Sequence, residues 1–171
     1  ALLLLCSCGT MHNLTYDGHK TYSEVDSANY GFSKRFPKTF TIYPFRNMTW
    51  YREAAPRARE AVFQGFSLIG QCSRLEDTEN RATAPYNGSD AIRVAREENT
   101  DAVILGEVLQ QDHFWFIFAS YAYVRVNLAV YSTKDGKLLW KGSTWSLAAD
   151  WGTDLILDPV STLIDHIYWS R

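Results

Sequence analysis

"YVRVNLAVYSTKDGKLLWKGSTW", residues Tyr123–Trp145, decides the fold. Val124, Val126, Leu128 and Val130 occupy every second position, with Arg125, Asn127, Ala129 and Tyr131 between them. Side chains along a strand alternate between two faces, so one face of this strand is buried and the other is not. Lys134-Asp135-Gly136 follows, and Asp-Gly between two alternating segments is the strongest short-range hairpin signal. Leu138–Trp145 is therefore its antiparallel partner.

The neighbouring segments complete a sheet and its helices. Ala102–Leu109, within "DAVILGEVL", is apolar on both faces and belongs in the sheet interior. In "REAAPRAREAVFQGFSLIG", Ala58, Val62, Phe66 and Ile69 recur at helical spacing, with Pro56 in the first turn and Gly70 as the stop. "DAIRVAREEN" predicts a second helix, capped by Ser89 or Asp90, with Ile92 and Ala95 inward and Asn99 at its end. Val160, Leu163, Ile164 and Ile167 predict a third. Short strands are expected in "TFTIYPFRNMT" and "QCSRLED". The order β-α-β-α-β-β-β-α predicts an α+β fold: a single two-layer or three-layer-like sandwich with a mixed, mainly antiparallel sheet and about three helices.

The chain has 171 residues, 46% of them apolar and 15% aromatic, enough for one sizeable core. Its net charge is −2 and it contains no Lys/Arg-rich run, which argues against nucleic acid as a partner. Residues 39–171 form the expected domain. Residues 9–38 are polar, dotted with tyrosines and without clear periodicity, and are expected to be a tether partly draped over the domain. Residues 1–8, "ALLLLCSC", are too short to span a bilayer, which takes about 20 apolar residues. They fit the tail of a secretory signal, or alternatively a buried strand or an accidental apolar terminus.

No catalytic constellation emerges. There is no Gly-rich phosphate loop and no Gly-x-Ser-x-Gly elbow. His12, His19, His113 and His166 lack metal-ligand spacing, so no metal and no cofactor is expected. Glu97-Glu98 and Glu76-Asp77 are adjacent pairs that point apart. Cys72 stands apart from the N-terminal Cys6 and Cys8 and fits a small packed residue. Asn47 and Asn87, each two residues before Thr or Ser, fit turns.

Two stretches stand out. "HFWFIFASYAYV", His113–Val124, groups Phe114, Trp115 and Phe116 with further apolar residues and carries no charge before Arg125. It fits a buried strand or hairpin tip folded onto the core. It equally fits an exposed tip that contacts a bilayer or another subunit, because large apolar patches seldom stay in water. In "DWGTDLILDP", Asp150, Asp154 and Asp158 recur every four residues beside Trp151. A solvated acidic start to the last helix accounts for them. In a ring, the same stripe would repeat around a central opening and attract a cationic polymer.

These segments resemble a known group. Leu5-Cys6-Ser7-Cys8 resembles the lipobox of bacterial lipoproteins, with Cys6 a poorer second candidate for modification than Cys8. That resemblance implies acylation at Cys8, and Gly9 in place of Asp implies export to the periplasmic leaflet of the outer membrane. "TIYPFRNMT", "RAREAVFQGF", "TDAVILGEV" and "VNLAVYSTKDGKLLWKG", in this order, resemble lipoproteins with the CsgG/TolB N-terminal fold, and in size the PelC-like outer-membrane lipoproteins. The PelC-like resemblance implies a non-enzymatic, homo-oligomeric ring that assists exopolysaccharide secretion through an outer-membrane β-barrel exporter. It also implies a membrane contact at Trp151 and a polymer-guiding acidic lining at Asp150 and Asp154. Two alternatives share the fold: an LpoB-like regulator of a cell-wall enzyme and a CsgG-type channel subunit. The channel would need two transmembrane hairpins, whereas one aromatic stretch is present.

Overall fold

The structure, a computed structural model, describes residues 12–16, 19–31, 36–68, 74–75, 88–116, 119–148 and 156–169. Eight strands and three helices are present among them. In chain order they are β1 (His12–Tyr16), β2 (His19–Asn29), β3 (Phe40–Ile42), β4 (Arg46–Asn47), α1 (Ala54–Leu68), β5 (Arg74–Leu75), α2 (Gly88–Glu97), β6 (Ala102–Phe116), β7 (Ala119–Ser132), β8 (Leu138–Ala148) and α3 (Leu157–Trp169). The strands form one sheet ordered β1-β2-β8-β7-β6-β3-β5, with β4 also beside β6. β3, β4 and β5 pair in parallel and the remaining ladders are antiparallel, so the architecture is the expected α+β one.

The β7–β8 hairpin forms as its alternation dictates. Val124, Val126, Leu128 and Val130 are buried against Trp140 and the helices α1 and α3. Gly136 adopts φ 71° in the connection, a left-handed conformation that glycine reaches without a Cβ clash. Ala58, Val62 and Phe66 of α1 and Val160, Leu163, Ile164 and Ile167 of α3 face the same core. The two helices approach closely at Gly65, where a Cβ would lie 2.3 Å from Cδ1 of Ile164. On the opposite face, α2 packs Ala91, Val94 and Ala95 on Tyr43, Val103 and Leu105.

Three expectations are corrected. Residues 9–38 are not simply a tether, because β1 and β2 extend the sheet, and β2 pairs with β8 from Thr21 to Asn29. Val25 of β2 packs on the core, while Asp26, Ser27 and Ala28 line a groove. An apolar period was therefore absent. The second helix starts at Gly88, so Ser89 and Asp90 lie inside its first turn rather than capping it, and Asp90 there meets the positive end of the helix dipole. β6 runs past Leu109 to Phe116, through a one-residue bulge between Val108 and Gln110. Asn99 ends α2 as expected, at φ 57°. Ile69, Gly70, Cys72 and Asn87 lie outside the described residues.

Candidate functional site

The bulge in β6 decides what the hairpin tip presents. Before it, even-numbered residues such as Ile104 and Val108 face the main core. After it, Gln111 pairs with Val124 and His113 with Ala122, so odd-numbered residues take that face. Phe114 is placed on the other face, opposite Tyr121, and is 45% exposed. The strand ends at Phe116, and β7 resumes at Ala119. His113–Phe116 therefore belong to the outer end of the β6–β7 pair.

A second group lies beside this tip. β4 runs parallel to β6, with Asn47 opposite Val108 and Met48 N–H donating to the Val108 carbonyl at 2.9 Å. The chain then leaves toward the tip, and the Tyr51 ring meets His113 edge-on at 5.6 Å. The loop is strapped by its own polar residues. Asn47 Nδ2 donates to the carbonyls of Tyr51 at 2.7 Å and Arg52 at 3.3 Å. Asn47 Oδ1 accepts from the Thr49 amide at 2.9 Å and the Thr49 hydroxyl at 2.8 Å, and that hydroxyl accepts from the Tyr51 amide at 3.1 Å. At its crest Trp50 is 96% exposed, with Met48 and Tyr51 also exposed. The sequence carries a signal for this, an Asn-x-Thr strap followed directly by two aromatic residues, which from the residues alone fits no more than a turn.

On the sheet face opposite the main core, beside α2, β2, β8, β7 and β6 hold a groove of about 390 Å³. Asp26, Glu107, Arg125 and Lys141 line it, so both charge signs are present. Arg125 Nε donates to Ser143 Oγ at 3.4 Å, and Glu107 pairs with Arg46 at 3.7 Å. Nearby on β7, the Tyr123 hydroxyl is pushed above its usual pKa, chiefly by burial. Asp26 on β2 and Glu107 on β6 are separated by three strand spacings, about 14 Å. No group of three or more potential metal ligands occurs among the described residues. No helix among them is long and apolar enough to cross a membrane.

Of the residues singled out from the sequence, Phe114 is exposed at the tip, and Trp115 and Phe116 close β6. Asp158 falls in the first turn of α3. Cys8, Trp151, Asp150 and Asp154 lie outside the described residues.

No protein-family model matches the sequence, and no curated protein matches it by sequence. Solved structures do match. One PelC dodecamer from Paraburkholderia phytofirmans superposes with a TM-score of 0.63 at 13% identity, over 85% of this chain and 97% of that one. A second crystal form of a PelC dodecamer from that organism gives 0.59 at 16% identity, over 85% and 94%. Lipoprotein GNA1162 from Neisseria meningitidis gives 0.59 at 17% identity, over 77% and 99%. The likeness is one of fold. It is shared with bacterial lipoproteins and spans nearly the whole of each of these solved chains.

Proposed function

We propose that this chain is a lipid-anchored periplasmic protein that assembles into a ring beneath the outer membrane and assists exopolysaccharide export without catalysing a reaction. The observation that carries this is the fold likeness to dodecameric PelC over 85% of the chain. Acylation at Cys8 would supply the anchor, since each buried methylene contributes about 0.8 kcal/mol and two or three acyl chains hold firmly. Trp151 and the hairpin tip at Phe114, Trp115 and Phe116 would meet the bilayer. Asp150, Asp154 and Asp158, repeated by every copy, would line the opening and concentrate a cationic polymer before it reaches a β-barrel exporter.

A closed ring joins unlike patches of neighbouring copies. The grooved face of β2, β8 and β7 offers one such patch, with carboxylates and cations side by side. The test is mass photometry of the detergent-extracted protein, together with membrane fractionation of Cys8→Ser. A uniform oligomer, and loss of Cys8→Ser from the outer membrane, are the expected results. A monomer at micromolar concentration refutes the ring, and unchanged fractionation of Cys8→Ser refutes the anchor.

A further inference from the structure

We infer that the Asn47–Arg52 loop, with Trp50 at its crest, is a bilayer contact in its own right, and that the protein stands on the membrane with this end of its sheet. Single exposed apolar residues are ordinary on protein surfaces. Here, however, Met48, Trp50, Tyr51 and Phe114 are four of the six large hydrophobic side chains exposed among the described residues. Met48, Trp50 and Tyr51 share one loop, which the Tyr51–His113 contact sets beside the outer half of β6, and Phe114 stands next to His113 on the other face of that strand. The strap formed by Asn47 and Thr49 holds the crest outward, so the indole does not fold back onto the core.

The chemistry fits the boundary between headgroups and acyl chains. Trp and Tyr prefer that layer, because an apolar ring and a polar N–H or O–H are satisfied there together. Arg52, exposed next to them, places a guanidinium where lipid phosphates would be.

Chain length selects the same end, on the reading that Cys8 is the lipid anchor. His12 pairs with Ser23, Ser23 with Ser146, Ser146 with Val124 and Val124 with Gln111, so His12 is level with Gln111 across the sheet. Cys8 lies four positions before His12, a stretch that spans at most about 14 Å. Phe114, three residues beyond Gln111, is about 10 Å away along the strands and within that reach. Leu138, at the opposite end of β8, is eight residues from Ser146, about 26 Å away and beyond it. β1 runs from His12 toward the tip, so the segment before it must double back to reach that end, but even fully extended it cannot reach a membrane level with Leu138.

The test places an environment-sensitive nitrobenzoxadiazole label at Trp50→Cys, and separately at Lys134→Cys, in acylated protein carrying Cys72→Ser. The protein is reconstituted in phosphatidylethanolamine–phosphatidylglycerol vesicles. A blue shift and quenching by shallow spin-labelled lipid at position 50, with neither at 134, is expected. If the acylated protein floats with vesicles while position 50 stays water-like, the inference fails and the anchor stands. If the acylated protein does not float, the anchor reading fails. The loop contact is then judged by non-acylated Cys8→Ser protein, in which Trp50→Ser should lower vesicle partitioning by about tenfold. Unchanged partitioning overturns it. So does a Trp50→Ser variant that dissociates the oligomer while binding vesicles normally, because the indole would then be buried by a second copy.

Discussion

Replacing Gly142 with Ala asks whether the core is set by one ring lying on one bare position. Trp140 and Gly142 sit two apart on β8, so they share a face, and Trp140 is among the largest fully buried side chains. A Cβ at Gly142 would stand 2.3 Å from Cη2 and 2.7 Å from Cζ2 of Trp140, and 3.1 Å from Cδ2 of Leu163 on α3. Ordinary contact begins near 3.4 Å, so the indole must retreat by about 1 Å. The ring is fully buried, and overpacking of this kind costs about 1–3 kcal/mol. Gly→Ala also removes freedom from the unfolded chain, which returns about 0.4–1 kcal/mol where the backbone tolerates it. The steric term wins.

For a chain of this length each kcal/mol moves Tm by about 2–4 °C, so a fall of several degrees is expected in calorimetry. Phe in place of Trp140 lacks both clashing carbons. Trp140→Phe therefore carries its own cavity cost but makes the Gly142→Ala step cheaper, with a coupling of about 1 kcal/mol or more. A Gly142→Ala melting curve superimposable on the parent's, or strict additivity in the double variant, would refute the packing argument.

Two further outcomes follow from local geometry. Asn47→Ala removes the strap beneath Trp50, so amide exchange at Thr49 and Tyr51 should accelerate while global stability falls by only about 1 kcal/mol; unchanged exchange would show that the loop holds itself. Asp135 accepts hydrogen bonds from the Ser132 side chain and the Lys137 amide, which hold its carboxyl below the ordinary carboxylate pKa. A lowered pKa stabilises the fold above the unfolded-state value and loses that contribution as pH falls through the folded one. Asp135→Asn should therefore melt slightly below the parent at neutral pH and converge with it in acid; a gap that persists in acid contradicts this.

What the sequence revealed tracks how completely each element is buried. β7 was legible because one of its faces is packed from Ala122 to Val130, which leaves a clean period of two. α1 and α3 were legible because each gives a full stripe to the same core. β2 was not. Beyond the polar groove, its ladder to β8 is reinforced by a Trp145 Nε1–H bond to Glu24 at 3.2 Å, a contact that no apolar pattern encodes. The site was legible in part, since the aromatic hairpin was found but the strapped loop beside it was not. Asn47 and Trp50 belong to an edge that exists only once β4 docks beside β6, its paired residues 61 positions further along the chain.

The extra residue in β6 has a consequence for how related tips could diverge. Because Val108 pairs with Val126 but Gln110 with Arg125, the strand changes parity at Leu109. Deleting that single position would leave the lower strand untouched yet return Phe114 to the parity of Val108, turning it toward the helices and sending His113 outward. Two chains with identical tip composition could thus offer opposite chemistries to their surroundings. An alignment that ignores the indel would score them as the same.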